Sequence, residues 1–345
     1  MFFSYIINHL GQTGVNNVVL DLVKQMTAHG HQCCVYYFKD TPHPLDYPCE
    51  TRKVQGKGID FNAWDVIHTH GLKANLYVLR HKPCNCKAKC VATLHCYAFQ
   101  DFKDLYGAIQ GFLLGLLFLL SVKKHDKVVT LSQDAMQYYS KWIRREKLTY
   151  VYNTRDLDVK ADLTEKEKRE LLNFKGQNSI LIGMNCVLLI RKGIDVMLQA
   201  MRLLPTKYKL FIAGDGKEKE NFKKMVEIYK LSDRVYFAGN RPNAYRYLPY
   251  YDIYALPSRS EGFPLSLLEA AVYQTKVVAS RLPIVEECFS DEQVVKFSMP
   301  NAEELANSIE RAVKSNVLGS NLHQRFVDDY SPSVFYQKYL QIYTD

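Results

Sequence analysis

The chain has 345 residues, 47% hydrophobic and 23% charged, with a formal net charge of +9 and nine cysteines. That length exceeds what one hydrophobic core fills, so two domains are expected, and the composition excludes a disordered chain. The opening "MFFSYIINHLG" has no basic segment and too short an apolar run for a leader, so it reads as a buried strand. The cysteines then fit a reducing, cytoplasmic setting.

The first half offers strands at "FFSYIIN", "QCCVYYF", "DVIHTH", "CVATLHCY", "KVVTLS" and "LTYVYN". Between the first two, Val15, Val18, Val19, Leu22, Val23 and Met26 recur at helical spacing and predict an amphipathic helix on a sheet, ended at Gly30. The polar stretch "RDLDVKADLTEKEKRELLNFKGQNS" marks a boundary. Beyond it "SILIGMNC", "KLFIAG", "RVYFAG", "DIYALPS", "KVVAS" and "QVVKF" alternate with helices such as "EKENFKKMVEIYKL". This α/β alternation predicts two doubly wound, Rossmann-like parallel-sheet domains, 1–155 and 156–330, facing across a cleft. Charge is uneven: through Arg155 there are 19 Lys and Arg against 11 Asp and Glu, a net +8, which leaves +1 for the rest. The N-terminal half therefore suits an anionic partner.

Ligands of such sheets bind where strand ends meet helix starts. "PSRSEGFPLSLLEAA" is such a junction, with strand, loop and a helix opening near Pro264. The amides of Gly262, Phe263, Leu265 and Ser266, backed by the positive helix end, make an anion site. Glu261 lies on the loop beside that site and Glu269 about one turn into the helix. Taken alone, a capping acid and a solvated helix residue explain the pair equally well.

"EGFPLSLLE" resembles the E-x7-E motif of retaining GT-B glycosyltransferases, and the likeness to glycosyltransferase family 4 extends over almost the whole chain. "GQTGVNNVVLDLVKQMTAHGHQ", "DVIHTHG", "VATLHCY", "KVVTLSQDA", "VYNTRD", "RKGIDVMLQAM", "FIAGDG", "RVYFAGN" and "YDIYALPSRSEGFPLSLLEA" follow in family order. "YSPSVFYQKYLQIY" resembles the closing helix, 331–345, that crosses back to the first domain. The resemblance implies an acceptor-side first domain, a donor-binding second domain and retaining transfer from a nucleotide-diphospho sugar, UDP-linked by preference and GDP-linked as the alternative. The acceptor implied is a glycan, lipid-linked for the reason given below, in bacterial surface polysaccharide or glycoconjugate assembly. By the same resemblance Lys192 neutralises the donor diphosphate, Glu269 accepts the ribose hydroxyls, Glu261 holds the transferred sugar, and His95 contacts that sugar near the reaction centre. Gly14, with Gly11, lets backbone approach the phosphates. Arg191, next to Lys192, is directed to solvent or takes over a missing phosphate contact. His68 and His70 stand behind these groups. With phosphate charge carried by Lys192 and the helix start, no metal or other cofactor is expected, and no nucleic-acid partner.

The departures from the family are Cys186 and Val187 where a Gly-Arg pair is usual, Thr13 and Asn16 in the first loop, and Thr154 in place of a glycine. Arg191 or Arg155 could compensate for the absent arginine. Three other readings remain open. Gly214 and Gly216 form a partial dinucleotide fingerprint without its third glycine. His81, Cys84, Cys86 and Cys90 have unusual spacing for zinc. A non-catalytic sugar-nucleotide-binding partner of another transferase rests on the absent arginine alone. Finally, Phe112–Leu120 of "YGAIQGFLLGLLFLLSVKKHDK" is apolar on nearly all sides, too short to span a bilayer. It is either a core helix or an element that docks on an anionic membrane through Lys123, Lys124 and Lys127. The second option would make the protein peripheral on the inner face of the cell membrane, with a lipid-linked acceptor.

Overall fold

The computed structural model describes residues 1–56 and 58–345. The chain divides into two compact units, Met1–Asp156 with Tyr330–Asp345, and Leu157–Asp329.

In the first unit the strands are β1 (Phe2–His9), β2 (Gln32–Lys39), β3 (Glu50–Lys53), β4 (Val66–His70), β5 (Lys89–Leu94), β6 (Lys127–Thr130) and β7 (Leu148–Tyr150). They form one sheet in the order β3-β2-β1-β4-β5-β6-β7, and every described pairing is parallel. Its helices are α1 (Gly14–Ala28), α2 (Leu72–His81), α3 (Ala98–Tyr106), α4 (Ala108–Ser121) and α5 (Gln133–Tyr139). The periodic face of α1 packs inward: Val18, Val19, Leu22, Val23 and Met26 are buried, and Val15, at the start, is half-buried. β3 escapes sequence reading because "ETRK" has no apolar alternation. It is an exposed edge strand, where charge blunts pairing with other chains.

The second unit holds α6 (Glu165–Lys175), β8 (Ile180–Asn185), α7 (Ile194–Leu203), β9 (Tyr208–Ala213), α8 (Lys219–Ile228), β10 (Val235–Gly239), β11 (Ile253–Leu256), α9 (Leu265–Val272), β12 (Val277–Ser280), α10 (Pro283–Cys288), β13 (Val295–Phe297), α11 (Ala302–Lys314) and α12 (Leu318–Arg325). Its sheet runs β10-β9-β8-β11-β12-β13, again parallel in every described pairing. The core joins Ile182, Leu210 and Ile253 of the sheet to Met197, Met201 and Ile309 of the flanking helices. Strand order reverses between β1 and β4 in one sheet and between β8 and β11 in the other, which marks the two places where a ligand crevice forms.

The last helix, α13 (Pro332–Thr344), packs on α1 of the first unit. Thr154 is buried and its hydroxyl donates to the carbonyl of Tyr330 at 2.6 Å, pinning the returning chain. That bond explains a threonine where the family resemblance led to glycine.

The apolar stretch at 112–120 departs from the core-helix reading. α4 buries Gly111, Gly115, Phe118 and Ser121, and it exposes Phe112, Leu113, Leu116, Leu117 and Leu120.

Candidate active site

In the second unit the site is built where β8 and β11 end. The chain leaves β8 at Asn185, runs through Cys186–Leu189, and makes a short turn at Ile190–Lys192 before α7. Gly193 closes that turn in the left-handed region (φ +69°), and a Cβ there would lie 1.7 Å from the Pro257 carbonyl oxygen. A side chain at 193 would push the turn off the end of β11. The close approach sets Lys192 beside the loop of the next strand: its Nζ donates to Glu261 Oε1 at 2.6 Å, and the Ser258 hydroxyl donates to the same oxygen at 2.6 Å. Ser258 is held in turn by Ser280, whose hydroxyl donates to the Ser258 carbonyl at 2.5 Å.

A second set of bonds joins the two loops. The Arg259 amide donates to the Arg191 carbonyl at 2.8 Å, and the Arg259 guanidinium grips Asp195 through both nitrogens at 2.8 and 2.6 Å. Arg191 does not turn to solvent. Its Nη1 donates to the Ser260 carbonyl at 2.7 Å and stands 3.9 Å from Glu261 Oε2. Two cations thus converge on one carboxylate that is almost fully buried. Cys186 lies close enough to feel both Lys192 and Glu261, but burial pushes its thiol up to about 12, so it is neutral.

The helix after the loop begins at Leu265 with Pro264 as its cap, one residue later than the first-turn position expected for that proline. Phe263 is buried, so Gly262, Phe263 and Leu265 can serve a ligand by backbone rather than by side chain. Glu269 is half-buried and lies within electrostatic reach of Tyr254 and Tyr273. The Tyr254 and Tyr251 hydroxyls contact Asn185, Tyr251 donating to its side-chain oxygen at 3.0 Å. Val187 is 54% exposed on the loop that carries Cys186.

In the first unit the corresponding strand ends are uncharged. Thr13 caps α1 by accepting from the Asn16 amide, and Gly14 is the first helical residue. The Asn16 side chain donates to the carbonyls of His9 and Gly11 at 2.7 and 2.6 Å, which fixes the loop at one of the positions that depart from the family. At the ends of β4 and β5, His70 Nδ1 and His95 Nε2 are 2.9 Å apart, and His68 bridges Tyr343 of α13 and Thr93 at 2.7 Å on each side. Burial lowers the pKa of all three imidazoles, bringing His95 to about 4, so they are neutral at pH 7.

Arg155 is not available as a substitute phosphate ligand. Its guanidinium is buried and donates to Asp21 at 2.6 Å within the first unit. The loop after β9 does not open as a dinucleotide site either: the Leu188 amide donates to the Asp215 carbonyl and the Glu218 amide to the Leu188 carbonyl, closing 215–218 on 188. Among the described residues no group of three His, Cys, Asp or Glu is placed to hold a metal ion. His81 contacts the Tyr77 carbonyl, and Cys86 and Cys90 both face that of Ala88.

The family "Glycosyl transferases group 1" matches residues 164–329, almost all of the second unit. That unit is a glycosyl transferases group 1 domain. The chain is accordingly a glycosyltransferase, and its two sheets are of the GT-B class. The glycosyltransferase is 29% identical to the O-antigen biosynthesis glycosyltransferase WclY of Escherichia coli over 357 residues, covering 100% of this chain and 98% of the relative. It is 24% identical to the N,N'-diacetylbacillosaminyl-diphospho-undecaprenol alpha-1,3-N-acetylgalactosaminyltransferase of Campylobacter jejuni, over 72% of this chain and 67% of that one. Among solved structures, Anabaena HepE in complex with UDP superposes with a TM-score of 0.82 at 17% identity, covering 100% of both chains.

Sequence reasoning on this glycosyltransferase missed Ser258, Ser280 and the Arg259–Asp195 pair, which hold the Lys192–Glu261 contact in place. Only the position of Ser258 just past an apolar strand hints at its burial. His70 is more than a distant support, since it bonds His95 directly.

Proposed function

We propose that the second unit binds a nucleotide-diphospho sugar, UDP-linked by preference and GDP-linked as the alternative, and that the sugar is transferred with retention to a glycan carried on a lipid during bacterial surface polysaccharide assembly. The observation that carries the donor assignment is the Lys192–Glu261–Ser258 cluster beside the start of α9, at the strand-order reversal of the sheet. Lys192 rests on Glu261 and exchanges that partner for the diphosphate when donor arrives. The ammonium then faces the oxygen on which negative charge grows as the glycosidic bond breaks, so its attraction is strongest in the transition state. Glu261, still held by Ser258, becomes available to the hydroxyls of the departing sugar. Glu269 offers two acceptor oxygens to the vicinal ribose hydroxyls. The amides of Gly262, Phe263 and Leu265 and the dipole of α9 share the phosphate charge, with Arg191 beside them and Gly14 giving backbone access.

His95 is assigned to the transferred sugar. Held neutral by burial and oriented by His70, it exchanges hydrogen bonds with hydroxyls without adding a charge that would oppose an oxocarbenium-like transition state. With Lys192, Arg191 and a helix start for the leaving group, the chemistry needs no divalent cation. UDP in the Anabaena neighbour and the undecaprenol-linked acceptor in the name of the Campylobacter relative support the choice of base and of acceptor class.

The test is a thermal-shift panel of UDP- and GDP-sugars followed by transfer assays with and without EDTA. A donor at about 100 times its dissociation constant stabilises the fold by roughly 2.7 kcal/mol. The anomeric configuration of the product, read by NMR, decides retention. A GDP-sugar as the sole stabiliser, an inverted product or loss of activity in EDTA would each overturn its part of the proposal.

A further inference from the structure

α3 and α4 form a hairpin whose packing is inverted relative to a water-facing helix pair. The 14 residues of α4 contain no charge, and the face turned inward carries its small residues. A Cβ on Gly111 would lie 2.5 Å from the Lys103 backbone nitrogen, and one on Gly115 would lie 2.5 Å from the Phe99 ring. The two glycines let the helices touch and leave the large side chains outside. Ile109 is 79% and Leu113 59% exposed, and Leu105 and Tyr106 of α3, Phe112, Leu116, Leu117 and Leu120 continue the same apolar surface. Amphipathic packing buries the large apolar residues, so the reverse arrangement needs an apolar surrounding. Beside the hairpin a groove of about 430 Å³ is lined by Phe99, Ala108, Phe112, Leu116 and the exposed Trp142, with Lys103 among its walls.

We infer that this hairpin is a docking element whose occupant is an anionic phospholipid bilayer. At ~1.5 Å per residue α4 is roughly 21 Å long, short of a hydrocarbon core of ~30 Å, and no helix among the described residues is long and apolar enough to cross a membrane. The element therefore lies in the interface, with its apolar face among the acyl chains and one chain in the groove. Charge chooses the lipid. Lys103 stands in the groove wall, Lys123 and Lys124 follow α4 and Lys141 precedes Trp142, all four exposed, against the exposed carboxylates of Asp104 on α3 and of Asp126, the latter paired with Lys82 at 2.8 Å. The half of the sequence that contains them carries +8. Lysines at this height meet anionic head groups. The inference goes beyond the proposed transfer reaction and does not depend on the donor.

The experiment uses the full chain without nucleotide sugar. Sedimentation with vesicles of phosphatidylcholine alone, or of phosphatidylcholine with phosphatidylglycerol, measures partitioning, while the change in tryptophan emission reports insertion of Trp142, since Trp64 packs against the core of the first unit. Binding is expected on the anionic vesicles, with a blue shift, weakening as salt is raised. Ile109→Glu with Leu113→Glu should reduce it by roughly tenfold or more, since both side chains are exposed and carry little of the fold. Circular dichroism and the thermal midpoint without nucleotide check that the variant is folded. No binding to anionic vesicles at low salt, binding unchanged in the folded double variant, or a dimer in solution that the double variant dissolves would each overturn the inference, the last by assigning the face to a second copy of the chain.

Discussion

The strand ends that carry the candidate site residues of the two units differ in charge although both sheets are doubly wound. In the second unit the ends of β8 and β11 carry charge: Lys192 and Arg191 converge on Glu261, and Arg259 grips Asp195 beside them. In the first unit the ends of β4 and β5 carry none: His70 and His95 sit there as neutral rings bonded to each other, and neutral His68, packed on His70, bonds Thr93 and Tyr343. A site made for a diphosphate has to hold cations ready. One made for sugar hydroxyls does better without charge, because a buried ion would cost more than a neutral hydrogen bond returns.

The largest effect that tests this contrast is on turnover. If Lys192 faces the leaving group as proposed, Lys192→Ala should lower kcat by about 10²–10³, with a smaller change in donor affinity. A fall in affinity alone, measured by steady-state kinetics across donor concentrations, would place Lys192 in ground-state binding only. Glu269→Ala should act the other way round. Losing a charged acceptor for two hydroxyls costs about 2 kcal/mol, so donor Kd by calorimetry should rise some thirtyfold.

The uncharged site predicts a pH effect on stability. His68, His70 and His125 are buried with depressed pKa values, His125 at about 3 through desolvation. In the unfolded chain an imidazole takes up its proton near pH 6.5, so below that value the unfolded state binds more protons and the first unit loses stability as pH falls. The slope is about 1.4 kcal/mol per pH unit for each histidine, down to its folded-state pKa. Urea titrations from pH 7.5 to about 4.5, read by hydrogen exchange at β4 and β5, check it, and a flat profile would mean that these rings are already solvated.

The smallest effect concerns the absent arginine. Val187 is exposed on the Cys186 loop, so Val187→Arg should fit without strain and add a partly screened phosphate contact of up to about 1 kcal/mol, some fivefold in Kd for UDP. No change would indicate that Arg191 already fills that role from its place beside Ser260.

The strands of both sheets, β3 excepted, were legible because each is a short β-branched or aromatic run, as buried parallel strands must be. Lys192, Glu261 and Glu269 were singled out by the resemblance to a family motif, and of these the structure brings Lys192 and Glu261 into contact. What was not legible depends on contacts between distant residues. Nothing in "RSEGFP" shows that Arg259 spends itself on Asp195, and nothing near Arg155 shows that Asp21 takes it. The apolar stretch at 112–120 stayed open between two readings because hydropathy counts a glycine as neutral. Gly111, Gly115 and Phe118, spaced four and three apart, are the packing face, and the leucines between them are not.

The return of α13 to the first unit has a consequence for synthesis. The pocket that Tyr339 and Tyr343 occupy, against Thr93 and His68, is laid down early, but the residues that fill it leave the ribosome only after the whole second unit. The order of completion is thus the reverse of the order of translation. The nascent first unit waits with His68 and Thr93 uncovered, while the second unit has every strand it needs before α13 is made.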